Sequence, residues 1–162
     1  MVECIMVKET LLLVGHGSKL PYSKQLITDI AEKVKAQNKF ENIEIGLMEF
    51  NEPSIPTALK KIIADGTKRI IVVPVFLAPG THTEKDIPRI LGLLKDDGGG
   101  HHHHHHHGDG SGHHSHSHGH GHHHHHHGDP VDVPDDVEII YKKPLGADDR
   151  IVEIVMERAL NL

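Results

Sequence analysis

The sequence predicts an α/β fold, a four-stranded parallel sheet with helices on both faces. Three observations predict it. Short apolar runs alternate with segments of helical periodicity along the chain. The strongest run, residues 69–78, is apolar at successive positions, as a central parallel strand buried on both sides is. Four such strand-then-helix units imply parallel pairing with right-handed crossovers.

Taken in order, residues 10–14 form a short apolar strand ended by Gly15. Over residues 23–35, Leu26, Ile27, Ile30, Ala31 and Val34 recur at helical spacing. Residues 43–50 read as a second strand, and Glu44, Gly46 and Glu49 give it a more exposed position. Ile55, Ala58, Leu59, Ile62 and Ile63 mark a second helix, stopped by Gly66. Within the third strand, residues 69–78, Pro74 removes a ladder donor, so a local distortion is expected there. A third helix starts at Thr83-Glu84-Lys85-Asp86 and continues through Ile90, Leu91 and Leu94. Residues 137–141 are the last strand, and Ile151, Ile154, Val155 and Ala159 mark the last helix. By analogy with flavodoxin-like folds, the expected strand order is 2-1-3-4.

Composition narrows the function classes. The chain has 162 residues, no Trp, two Tyr and three Phe, so its core must be aliphatic. One domain over residues 1–162 is expected, interrupted at about 97–134 by a stretch with almost no apolar side chains. Lys and Arg are scattered and the formal charge is −6, so no basic nucleic-acid face emerges. The longest apolar run, residues 70–78, is far short of the roughly 18 residues that span a bilayer. Cys4 is the only cysteine, which excludes a disulfide framework. With Glu3, Lys8 and Glu9 and no cleavable apolar segment at the N-terminus, a cytoplasmic location is expected.

Histidine is the chain's distinguishing residue. Of 20 histidines, 18 lie in a glycine-rich tract between His101 and His127, leaving only His16 and His82 elsewhere. Each of these two follows an apolar strand, His16 in Gly15-His16-Gly17-Ser18 and His82 in Pro79-Gly80-Thr81-His82-Thr83. Ligands of open parallel sheets bind beyond the carboxyl ends of the strands, where the strand order reverses. Strands 1 and 3 flank that point, so the two imidazoles are expected to converge. Two neutral imidazoles with open positions suit Co2+, Ni2+ or Fe2+, whereas structural zinc takes four closed ligands. After strand 2, Glu49 and Glu52 are both candidates to face the same cleft. Each has an ordinary structural alternative, Glu49 as a solvated strand-end charge and Glu52 as an acid at a helix N-terminus.

The segments Leu13-Val14-Gly15-His16-Gly17-Ser18, Leu47-Met48-Glu49-Phe50-Asn51-Glu52-Pro53 and residues 73–83 together resemble the small archaeal class II chelatases. These are the short-form sirohydrochlorin cobaltochelatases, also described as nickelochelatases. The resemblance extends from about residue 10 to the C-terminus and includes Pro144-Leu145-Gly146-Ala147-Asp148-Asp149-Arg150. It implies a flavodoxin-like chelatase half-unit that inserts Co2+ or Ni2+ into sirohydrochlorin, an octacarboxylate tetrapyrrole, for cobalamin or coenzyme F430 biosynthesis. It also implies His16 as metal ligand and proton acceptor, and His82 as second metal ligand. Glu52 and the loop of Leu77, Ala78, Pro79, Gly80, Thr81 and His82 are implied to contact the tetrapyrrole. No prosthetic group is expected, the metal being a substrate, and the implied assembly is a homodimer whose copies share one cavity.

The tract itself reads as native, since the strand and helix that complete the fold follow it. Its length and lack of apolar residues predict a disordered loop, and metal buffering or delivery is the natural use of such a composition. Two rival readings follow. One is a nickel or cobalt storage protein or metallochaperone acting through the tract. The other is phosphoryl transfer through His16, since Gly-His-Gly resembles histidine phosphatases; those place an arginine before the histidine, where Gly15 stands here.

Overall fold

The computed structural model describes residues 7–94 and 129–161. In chain order these form β1 (Glu9–Gly15), α1 (Tyr22–Lys35), β2 (Asn42–Leu47), α2 (Ile55–Ala64) and β3 (Arg69–Pro74). A π-helical turn (His82–Asp86) then leads into α3 (Ile87–Ile90), followed by β4 (Glu138–Tyr141) and α4 (Asp149–Leu160). The strands build one parallel sheet in the order β2-β1-β3-β4. This is the order expected from the sequence, with β1 and β3 at the centre.

Two apolar layers flank the sheet. On one side Leu12 and Val14 of β1 meet Ile70 and Val72 of β3, covered by Ile55, Leu59 and Ile62 of α2 and Ile87 and Ile90 of α3. On the other side Leu11 and Leu13 pack on Ile27 of α1. Alternate residues of β1 thus serve opposite cores, which is why its sequence is apolar without interruption from Leu11 to Val14. Each fully buried Leu or Ile stabilises the fold by about 1.5–3 kcal/mol relative to exposure. The buried hydroxyls of Thr10 and Thr67 satisfy each other at 2.9 Å.

Three boundaries differ from the sequence expectation by three residues or more. The second strand ends at Leu47, not at residue 50, because the amides of Met48 and Glu49 turn to the carbonyls of Gly15 and His16. The third strand ends at Pro74, not at residue 78; the proline that predicted a distortion closes the ladder instead. The third helix begins as the π-helical turn and stops at Ile90 rather than Leu94, with Gly92 at φ +72° breaking it. The histidine tract lies outside the described residues. Its flanks meet, since the Val131 amide donates to the Ile90 carbonyl at 3.0 Å.

α4 starts from Asp148, whose carboxylate accepts from the Arg150 amide and guanidinium, hydrogen bonds that hold its carboxyl down to about 2. None of its residues is buried, and Val152, Val155, Met156 and Leu160 lie exposed at helical spacing along one side. Among the described residues, no helix is long and apolar enough to cross a membrane.

Candidate metal centre

The site assembles at the carboxyl edge of the two central strands. β1 ends at Gly15, where a side chain would meet Ile27 Cδ1 at 2.8 Å, so that the end of the Ile27 side chain would have to shift. Gly17 follows at φ +86°, and a Cβ there would lie 1.9 Å from the Glu49 carbonyl oxygen. Only glycine permits that approach. The loops after β1 and β2 are consequently stitched together: Glu49 N donates to His16 O at 3.0 Å, and Ser18 N to the Asn51 side chain at 2.9 Å. Lys19 adds a cation–π contact, its ammonium 5.6 Å from the Phe50 ring centroid. His16 therefore has a fixed backbone beneath an exposed ring.

His16 Nδ1 lies 3.0 Å from the Gly17 carbonyl. A carbonyl only accepts, so this bond puts the proton on Nδ1 and makes Nε2 the nitrogen that bears the lone pair. His82 repeats the arrangement with a carboxylate, its Nδ1 2.8 Å from Asp86 Oδ2. The two rings stand edge to face, centroids 5.0 Å apart and planes at 72°, with Phe76 6.3 Å from His16 on one flank. The convergence expected from the sequence is present. A carboxylate behind a ligating imidazole fixes its orientation and raises its basicity.

His82 owes its place to an irregular helix start. In the π-helical turn the Ile87 amide bonds to the His82 carbonyl. The Thr83 carbonyl would take the next amide, but that residue is Pro88, which has none. The Tyr141 hydroxyl fills the gap, donating to Thr83 O at 2.7 Å. Burial, and then the charge of Glu84, pushes that phenol up to about 12, so it remains a donor at neutral pH. The buried Thr83 hydroxyl in turn accepts from the Gly80 amide at 2.8 Å and tethers the preceding loop. Tyr141 and Asp86 were not singled out from the sequence. Their signals, a proline five residues after Thr83 and an acid four after His82, are legible only once the helix start is known.

The remaining candidates are distributed around this pair. Leu77, Ala78, Pro79, Gly80 and Thr81 form an exposed loop leading into His82. Glu49 is half-buried beside His16 through its backbone. Glu52 is exposed, and its carboxylate accepts from the Ser54 amide at 2.7 Å at the start of α2. Among the described residues, no group of three or more His, Cys, Asp or Glu side chains is arranged to hold a metal. A 110 Å³ cavity beside His16 is walled by Leu26, Ile27, Ile30 and Val75.

The chemistry open to this arrangement is reversible capture of a divalent ion by two nitrogens, with one imidazole able to take up a proton. A family model described as CbiX matches residues 10–162. The sirohydrochlorin cobaltochelatase of Methanocaldococcus jannaschii is 62% identical over 151 residues, covering 93% of this chain and 97% of that one. Its counterpart from Methanococcus maripaludis is 56% identical over 154 residues, covering 95% and 99%. Among solved structures, SirB from Bacillus subtilis with Fe3+ superposes with a TM-score of 0.62 at 26% identity. That match covers 93% of this chain and 46% of SirB, so the chain spans about half the SirB length.

Proposed function

The chain belongs to the CbiX family, and from that premise we propose that it inserts a divalent cobalt ion into sirohydrochlorin. The observation that carries the reading is the His16–His82 pair, rings 5.0 Å apart on the edge where a parallel sheet binds its ligands. Two donors hold a divalent ion while leaving most of its coordination positions to water and then to the four ring nitrogens. Nickel meets the same pair with the same donor set, so Ni2+ is the second metal this site accepts.

Insertion must remove two pyrrole N–H protons and the water of the ion. His16, exposed and bonded through Nδ1 to a neutral carbonyl, is the base in this proposal, and His82, bonded to the Asp86 carboxylate, is the steadier ligand. The order is capture by both imidazoles, docking of the macrocycle against Leu77, Ala78, Pro79, Gly80 and Thr81, then transfer of the ion to the ring nitrogens, which frees His16 Nε2 to take one pyrrole proton while water takes the other. In this proposal Glu52, whose carboxylate accepts from the Ser54 amide, contacts the macrocycle rather than the metal.

The cavity beside His16 is 110 Å³, well below the roughly 300–1,000 Å³ of sites that enclose a drug-sized ligand. The macrocycle therefore lies on the open edge of the sheet, and a second copy of the chain completes the enclosure. Two observations support a homodimer: the exposed apolar side of α4 and a chain half as long as SirB. A reducing, cytoplasmic setting suits a chain with one cysteine.

The test is anaerobic mixing of protein, sirohydrochlorin and Co2+ while following the tetrapyrrole absorption spectrum. Acceleration over the spontaneous reaction is expected, and its loss in His16→Ala. No acceleration by the intact chain overturns the reading. Full biological function without His16 and His82 would instead favour metal storage by the histidine tract.

A further inference from the structure

A second feature lies on the same edge of the sheet, one strand further out. Beyond β4 the chain continues the ladder, with Lys142 N donating to Val72 O at 2.9 Å. It then runs against the loop after β3, where Leu145 N donates to Phe76 O and Gly146 N to Leu77 O, both at 2.8 Å. Lys143 is held between these anchored amides, and Tyr141 ties the strand end to Thr83. The segment and the loop enclose a 370 Å³ cavity lined by Pro79, Glu84, Lys143, Pro144 and Gly146.

At the amino edge Lys68 pairs with Asp136 and Arg69 with Glu138. At the carboxyl edge Arg150 is engaged by Asp148. Among the described residues, no hydrogen bond or ion pair engages the Lys143 ammonium. Lys143 lies in the wall of a cavity continuous with the loop that leads to His82, and Glu84 in the same wall accepts from the Thr83 hydroxyl rather than pairing with the ammonium, which is left open to an incoming anion. A tetrapyrrole with eight carboxylate arms brings several.

We propose that Lys143 is the cationic partner of one peripheral carboxylate arm of the tetrapyrrole, which enters the cavity between Pro79 and Pro144. This rests on the reading of the chain as a sirohydrochlorin metal inserter. Glu84, in the same wall, repels a second arm, so the pair of opposite charges selects one orientation of the macrocycle over its rotated alternatives. Lys143 then acts on substrate affinity and orientation, and the imidazoles on the metal. An ammonium suits an arm that must enter and leave, because it acts as a point charge without demanding bidentate geometry.

The experiment is equilibrium binding of metal-free sirohydrochlorin to the full chain at low salt, followed by its absorption. An exposed charge pair of this kind changes the dissociation constant by about fivefold. Lys143→Ala is expected to weaken binding by that factor, Lys143→Glu by more, and Lys143→Arg to retain it. Cobalt affinity, measured separately, is expected to stay at the wild-type value in all three. Wild-type tetrapyrrole binding in Lys143→Glu, or a parallel loss of cobalt affinity, overturns the proposal while leaving metal insertion intact. Failure of the unaltered chain to bind sirohydrochlorin overturns the functional reading, and this inference with it.

Discussion

His82 Nδ1 lies 2.8 Å from the carboxylate of Asp86, four residues later in the same π-helical turn. The bond sets the imidazole's tautomer and direction before any metal arrives. Removing such a partner typically lowers metal affinity about 10–100-fold. Asp86→Ala is expected to weaken Co2+ binding within that range, and Asp86→Asn, which keeps an acceptor oxygen, to weaken it less. Calorimetric titration with Co2+ measures both.

The proposed insertion gives the two imidazoles separable tasks. His16→Ala removes a ligand and the base, so insertion should fall by about 100-fold or more, the range for losing a general base. His82→Ala removes a ligand only, so excess Co2+ should recover part of the rate, whereas it should not rescue His16→Ala. Anaerobic absorption kinetics across a range of Co2+ concentrations distinguish the two patterns.

Gly17 offers a test of the scaffold. Its φ of +86° and a Cβ position 1.9 Å from the Glu49 carbonyl leave no room for alanine. Gly17→Ala is expected to destabilise the fold by at least about 1–3 kcal/mol, and to displace His16 as the two loops separate. Urea denaturation reads the first effect. Co2+ affinity of the remaining folded protein reads the second.

The Tyr141 phenol predicts an alkaline effect. Its value is about 12 in the folded chain against 10 ordinarily, raised by burial first and by Glu84 second. Between those values the folded state holds a proton that the unfolded state has released, so stability declines as pH rises. The contribution is complete below pH 10 and is lost by about pH 12. Tyr141→Phe should flatten that part of the stability profile, as followed by denaturation between pH 9 and about 12.

The fold and the convergence of His16 and His82 were legible in the sequence for related reasons. Buried parallel strands write themselves as continuous apolar runs, and the two histidines outside the tract each stand just past one of them. The strand order then brings His16 and His82 together. What escaped sequence reading depends on backbone irregularity. The phenol of Tyr141 matters because Pro88 leaves one carbonyl without an amide, and Asp86 because a π-helical turn carries His82. Periodicity carries no trace of either. The ends of the second and third strands were misplaced because apolar residues such as Phe50, Phe76 and Leu77 continue the pattern into loops. There the chain has left the sheet to build the site.

Deleting residues 101–127 should leave insertion unchanged at saturating Co2+ and slow it when metal is scarce, as initial rates at both extremes will show. The flanks explain the first half of that expectation. Val131 returns to bond with Ile90, so the chain leaves and re-enters the fold at one corner. Between two fixed ends, doubling a connection costs only about 0.6 kcal/mol in closure entropy. That corner is a neutral docking point for inserted sequence. Sequence added or lost between these two ends leaves the sheet, and the pair of imidazoles on its edge, as they are.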